Sequence, residues 1–433
     1  MTGAGARGSL DVYLQPSVVG GGLGDVEEVL AVGRRLHRLG WRSFLYRRPG
    51  HPLPASVDGP WGWPPVRRVH RLIPRSSHAL TVTPWWGVSA APAPERTGAP
   101  GPWSAETVDL EARYGPEQII HLSIEEFART LTSRQQASER WREGGVSVRE
   151  IARRWKGTAT ARELRIVHEA YRTWRAFDRP NVLHLFAGFR PSRAFAREVP
   201  EAVQTGPLWP ESPGGPVAGP NRRRWVWYAS PSTSSRLATA LAFAIPARSS
   251  GSPSVEIEVR GPRPFPLPPA PGIRWRWADP SSPDQWSRRF RSAGLRMVTG
   301  SRTLLEALTA GGPFFYFNGV LNQGRRTRRH RPEKIAGLLE VWRRHRVSAS
   351  LRRDLADFSR LRRVTPIVRT VLTDPRWAAQ FPARSTAVLH HPERADAGQM
   401  IDRWATEWAR SSDAASVVVA RWRTAARGPE LRL

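Results

Sequence analysis

The chain of 433 residues contains no cysteine, so neither a disulfide framework nor a thiolate metal site is open to it. Lysine is nearly absent: Lys156 and Lys334 stand alone, and the formal net charge of +30 is carried by arginine. The longest apolar run, Leu237–Ala247, falls far short of the roughly 20 residues that a membrane-spanning helix needs. The opening MTGAGARGSLDVYL lacks a charged leader followed by an apolar stretch, so no signal peptide is expected. These absences point to the cytoplasm. The glycines near the N-terminus fail the G-x-G-x-x-G spacing, and no G-K-[S/T] follows them, which argues against a nicotinamide site and a P-loop. His390–His391 have no matching carboxylate motif, so no metal site is expected.

What is present fits a large α/β protein. A chain of this length exceeds the size at which single cores stop growing, so two domains are the default. Hydrophobic residues at 40% suffice for ordinary cores. The charge should attract nucleic acid, anionic lipid or phosphorylated substrates. A bland alternative is the imprint of GC-rich coding, since arginine, alanine, proline, glycine and tryptophan are enriched together.

Short apolar strands alternate with amphipathic helices along the chain. Leu10–Leu14 reads as a strand, Asp25–Leu39 as a helix and Trp41–Tyr46 as a second strand. Residues 49–104 are rich in proline, glycine and tryptophan, with Ala79–Thr83 the best strand among them. Ser123–Phe177 reads as helical, Asn181–Phe186 as a buried strand and Ser192–Glu198 as a helix. Pro207–Pro220, PLWPESPGGPVAGP, is a linker. A second series follows, with strands at Trp225–Ala229, Val255–Arg260, Ile273–Trp277, Leu295–Thr299 and Pro313–Phe317. Its helices are expected over Ser235–Ile245, Pro283–Ala293 and Ser301–Ala310. This alternation predicts parallel sheets, and two such halves around a linker predict a cleft between them.

Two glycine turns carry the chemistry. In VGGGLGDVEEVLAVGRRLHRL, Val19–Leu39, the glycines Gly20, Gly21, Gly22 and Gly24 lead from strand to helix, and Asp25 can cap that helix. Bare amides at a helix N-terminus form an anion cradle. The second turn lies in MVTGSRTLLEALTAGGPFFYFNGVLNQG, Met297–Gly324, where Gly300–Ser301 offer amides and a hydroxyl to a diphosphate. Glu306 lies about a turn and a half further on, where a carboxylate can accept hydrogen bonds from ribose hydroxyls. Packing alone explains the first turn equally simply, and a solvated helix face explains Glu306.

These segments resemble the GT-B glycosyltransferases, which have two Rossmann-like domains facing a cleft. GGGLGDV resembles the glycine loop of starch and glycogen synthases, NVLHLF the strand in which retaining members often place a histidine, at His184 here, and VQTGPLWP the start of the interdomain linker. TGSRTLLEALTAGGPFFYF resembles the donor-site segment. The lysine usual after the N-terminal glycines, and the Arg-plus-Lys pair held against the diphosphate, are missing. Sugar-nucleotide epimerases share the fold.

The resemblance implies an N-terminal acceptor domain over 1–206, a linker over 207–220 and a nucleotide-sugar domain over 221–390. A helical tail over 391–433 would pack back on the first domain. The implied reaction is metal-independent transfer of a sugar from a nucleotide-sugar donor to a hydroxyl acceptor, anionic or lipid-linked, with no cofactor beyond that substrate. Gly22, Gly24, Ser301, Thr303, Glu306, Asn322, Gln323 and Arg325 would bind the donor, and His184 would be the catalytic base or orient the acceptor.

Several features admit other readings. The loop Arg325–Lys334, RRTRRHRPEK, suits a leaving diphosphate or simply solvent. His184 and His121 fit a hydrogen-bonded core as well as a site. Trp61–Trp63 and Trp85–Trp86 are candidate sugar-stacking platforms. The arginines also allow peripheral association with the inner face of the membrane. Val146–Val167, VSVREIARRWKGTATARELRIV, has the look of a helix-turn-helix, which keeps nucleic-acid binding as an alternative function. A catalytically silent scaffold of the same fold is a further one.

Overall fold

The computed structural model describes residues 9–15, 24–46, 67–69, 72, 74–84, 105–125, 180–187, 203–208, 221–229, 234–251, 253–261, 265–278, 283–317, 333–359, 361–381 and 396–427. The first part comprises β1 (Leu10–Leu14), α1 (Gly24–Arg38), β2 (Arg42–Tyr46), β3 (Arg67–Val69), β4 (His78–Pro84), α2 (Ala105–Tyr114), β5 (Ile119–Glu125), β6 (Val182–Ala187) and β7 (Val203–Thr205). All described pairings among these seven strands are parallel, in the order β3-β2-β1-β4-β5-β6-β7. That is a doubly wound order, with its switch point between β1 and β4.

The second part repeats the plan. It contains β8 (Asn221–Tyr228), α3 (Ser234–Ala244), β9 (Val255–Arg260), β10 (Ile273–Trp277), α4 (Pro283–Ser292), β11 (Ala293–Val298), α5 (Ser301–Ala310) and β12 (Phe314–Tyr316). Its strands are again parallel, ordered β10-β9-β8-β11-β12, so the switch point falls between β8 and β11. Helices α6 (Glu333–Arg344), α7 (Ala349–Phe358), α8 (Val364–Thr373) and α9 (Pro375–Ala379) complete this core. Helices α10 (Ala397–Trp408) and α11 (Ala415–Arg427) instead join the core of the first sheet. There Trp408 donates from Nε1 to the Ala79 carbonyl at 2.9 Å, Arg423 reaches the Val182 carbonyl at 2.6 Å, and Trp404 stacks on Trp422 at 5.4 Å.

The strands form where β-branched and aromatic residues are buried on both faces, as parallel sheets covered by helices require. That same burial overturns one expectation. Ser123, Ile124 and Glu125 are not the start of a helix; they end β5, with Ser123 and Ile124 paired to both β4 and β6 and Glu125 to β6. The strand IIHLSIE is enclosed by neighbours, so it lacks the alternation that marks a half-exposed strand. A smaller correction falls at Ala293, which opens β11 and does not close α4. A Cβ on the next residue, Gly294, would stand 2.4 Å from the Asn221 carbonyl, so a bare backbone lets β11 meet β8 immediately after the helix. The expected helix Ser192–Glu198, the segment 146–167, Trp61–Trp63, Trp85–Trp86, His390–His391 and all but the first two linker residues lie outside the described residues.

Candidate functional site

In open doubly wound sheets ligands sit beyond the carboxyl ends of the strands at the switch point. In the second sheet that place is occupied by the β11–α5 turn. Gly300 is the N-cap of α5, and its carbonyl accepts the Leu304 amide at 3.1 Å. The Thr303 hydroxyl folds back on the same residue, accepting the Gly300 amide and donating to its carbonyl, both at 3.2 Å. The Thr303 side chain therefore serves the cap and is buried. Thr299 donates to the Tyr228 carbonyl at 3.2 Å, tying the ends of β11 and β8 together at the switch.

Gly300 has φ of −100°, a conformation open to any residue, so backbone geometry does not demand glycine here. A Cβ at this position would meet only the Thr303 hydroxyl, at 3.6 Å. The missing side chain leaves open space in front of the helix N-terminus, where partial positive charge gathers. Ser301 opens the helix, and Glu306 is half-buried on its second turn and engaged by a neighbour. Between them Arg302 is buried and donates from Nη1 to the Leu208 carbonyl at 3.1 Å. Leu208 lies three residues beyond β7, so the first turn of α5 rests on the segment leaving the first sheet. Helices α1 and α5 also touch, which brings the helix after β1 against the helix after β11.

The carboxyl end of the first sheet carries a row of polar side chains. Thr83, Ser123 and His184 are partners in register across β4, β5 and β6, and so share one face. Gln15 continues the row past the end of β1, with its amide donating to the Val82 carbonyl at 2.9 Å. All four are buried. The Gln15 side-chain oxygen Oε1 accepts from the Thr107 hydroxyl at 3.0 Å, whereas its Nε2 and the Ser123 hydroxyl have no hydrogen-bond partner. Buried polar atoms of this kind cost stability and therefore call for an explanation. His184 is 1% exposed, and burial, aided by the charge of Arg423, draws its pKa down to about 3. It is neutral across the physiological range.

A second polar group lies deeper on the same face, toward α2. The His121 ring is bracketed by the Thr81 hydroxyl at 2.8 Å and by Glu111 at 3.2 Å, and Asn181 donates to the same Glu111 oxygen at 3.0 Å. Thr81 and His121 are buried, so this chain serves the interior. Sequence reasoning passed over Gln15, Thr83, Ser123, Thr81 and Glu111, because only the strand register brings them together. Among the expected donor residues, Ser301, Thr303 and Glu306 share one helix, and Gly24 opens α1. Gly22, Asn322, Gln323 and Arg325, with the arginine loop around the last, lie outside the described residues. No cluster of three or more histidines, aspartates and glutamates suited to a metal occurs among the described residues.

No family model and no curated protein matches the chain. Among solved structures it is similar to the glycotransferase of kitacinnamycin, at 13% identity and a TM-score of 0.45, over 96% of this chain and 99% of that one. It is similar to CalG4, the calicheamicin glycosyltransferase, at 14% identity and a TM-score of 0.40, over 98% and 100% of the two chains. A third likeness is to the glycosyltransferase SnogD from Streptomyces nogalater, at 15% identity and a TM-score of 0.36, over 86% and 98%. No residue role follows from likenesses of this size.

Proposed function

We propose that the chain is a glycosyltransferase of the GT-B type, with the second sheet holding a nucleotide-sugar donor and the first sheet its hydroxyl acceptor. The observation that carries the reading is the open, capped glycine turn at Gly300, set at the switch point of one sheet and packed against the segment leaving the other. In this reading the amides of Ser301 and Arg302 meet the diphosphate, and the Thr303 hydroxyl fixes the turn that presents them. Glu306 accepts from the ribose. An acceptor hydroxyl attacks the anomeric carbon, the bond to the diphosphate breaks, the departing diphosphate oxygen takes the electron pair, and the hydroxyl proton passes to the departing diphosphate. Charge developing on that leaving group is what the helix N-terminus stabilises, without calling on a metal.

The row Gln15–Thr83–Ser123–His184 supports an acceptor rich in hydroxyls, because two of its polar atoms await partners. A proton affinity as low as that of His184 suits an orienting hydrogen bond and not a general base, which works best near the operating pH. The test is a thermal-shift panel of nucleotides and sugar nucleotides, with inorganic pyrophosphate as the charge control. A ligand at about 100 times its Kd adds about 2.7 kcal/mol. A shift specific to one base, weakened about ten- to a hundredfold in affinity by Glu306→Ala, is expected. Equal shifts with every polyanion would remove the donor site.

A further inference from the structure

Helices α3 and α8 pack against each other and bury Leu237, Ala238, Leu241, Val364, Ile367 and Val368 in the core of the second sheet. Their other faces form one surface. On α3 the exposed residues Arg236, Thr239 and Phe243 follow each other at three- and four-residue spacing, one stripe of the helix. On α8 Arg369 is exposed, and Arg362 and Arg363 stand exposed just before its first turn. Neither helix contains an acidic residue. Among the described residues the carboxylates flanking α8 are Asp357, 3.7 Å from Arg363, and Asp374, which accepts the Arg376 amide at 2.8 Å. Neither engages Arg236, Arg362 or Arg369.

Within this field Phe243 is 81% exposed, more than any other large apolar side chain among the described residues. A protein partner would seat such a ring in an apolar centre. Here its companions on the stripe are a threonine and an arginine. An aromatic ring among uncompensated guanidinium groups matches the boundary of a charged bilayer, where ring and phosphate contacts are available side by side. No helix among the described residues is long and apolar enough to cross a membrane, so contact of this kind lies in the interface plane.

We propose that the α3–α8 face docks on an anionic lipid surface, with Phe243 entering the headgroup boundary and Arg236, Arg362 and Arg369 meeting lipid phosphates. The proposal is independent of sugar transfer and is read without any activity. The full chain is floated with vesicles of phosphatidylcholine alone or with about 30% phosphatidylglycerol, at about 0.15 M salt. Binding to the anionic vesicles alone is expected. Phe243→Ser should weaken that partition about tenfold. The pair Arg236→Glu and Arg369→Glu should weaken it at least about thirtyfold.

The control must separate this face from the charge of the whole chain. Arg403 and Arg410, exposed on and just after α10, belong to the other core, so Arg403→Glu with Arg410→Glu removes the same charge elsewhere. That pair should cost less than about threefold, since exposed charges beyond a Debye length are largely screened. Equal loss with the control pair, or no loss with Phe243→Ser, overturns the proposal. So does a chain that binds random duplex DNA and leaves anionic vesicles unbound.

Discussion

Around the second sheet the interior sets clusters of stacked rings among aliphatic side chains. Phe315 stacks on Phe358 at 3.8 Å and 5°, Trp377 and Phe381 lie 4.9 Å apart, and Trp227 meets Phe265 edge-on at 5.5 Å. Its buried carboxylate and one buried guanidinium are engaged, whereas Arg224 Nε and the indole nitrogens of Trp227 and Trp342 have no hydrogen-bond partner. Glu258, fully buried, is held by Arg224 and Arg289, and Arg296 donates to the carbonyls of Phe290, Arg291 and Gly311 at 2.6–2.7 Å. Burial lowers the Arg296 pKa to about 10, which still leaves it charged at neutral pH. The α2 face of the first sheet instead buries Asp11, Tyr13, Thr81, His121, Ser123 and His184. The same strand order thus carries a more polar row of side chains on the α2 face of the first sheet, whose other face is an apolar core. Ring packing fixes a shape. A polar interior keeps its specificity in hydrogen bonds, and at the carboxyl end it leaves two of them open.

The sharpest way to break this comparison is to remove a ring. Phe315→Ala empties a fully buried site against Phe358 and Trp377, at an expected cost of about 3–5 kcal/mol. Hydrogen exchange should quicken in β8, β9, β11 and β12 while β1, β4 and β5 keep their protection. Equal loss of protection in both sheets would mean that the two interiors are one cooperative unit, and the contrast would lose its energetic content.

Acid should single out the first sheet next. His184 is neutral when folded, with a pKa near 3, and gains a proton near 6.5 when unfolded. The unfolded chain therefore binds the extra proton first. Stability from this group is complete above about pH 6.5 and falls by about 1.4 kcal/mol per pH unit on the way to its folded pKa. His184→Leu should remove that slope and move the acid unfolding of the first sheet to lower pH. An unchanged acid limb would show that the ring is reached by water or protons before unfolding.

His184 also marks the limit of what the chain reveals unaided. NVLHLF announces a buried strand through its run of apolar residues, and β6 lies over Val182–Ala187. The β11–α5 turn was legible for the same local reason, since strand, glycine and helix follow one another in a dozen residues. The row from Gln15 to His184 was not, because it joins residues up to 169 positions apart through register alone. Helix α2 was hidden by the proline-rich stretch before it, and β5 by its continuous burial. Nothing in the sequence singles out Arg302, because its contact with Leu208 depends on how the two sheets meet.

The smallest effect should come from the hydroxyl of Tyr114, and its smallness is informative. That hydroxyl donates to Asp11 at 2.9 Å and lies 2.8 Å from the Tyr13 hydroxyl. Tyr114→Phe removes both contacts and leaves the buried Tyr13 hydroxyl without its partner, although no acceptor on Asp11 is stranded. The same Asp11 oxygen keeps the amides of Arg75 and Ser76 at 2.9 and 3.0 Å, and Arg42 stands 3.1 Å from the other oxygen. The loss should therefore be about 1–2 kcal/mol, the cost of leaving one buried hydroxyl unpaired, read as faster exchange in β1 and β4 alone. A cost of about 3 kcal/mol or more would mean that the Asp11 cluster acts as one coupled network. In that case the open partners on Gln15 and Ser123 would stand out as the exception within a coupled polar interior.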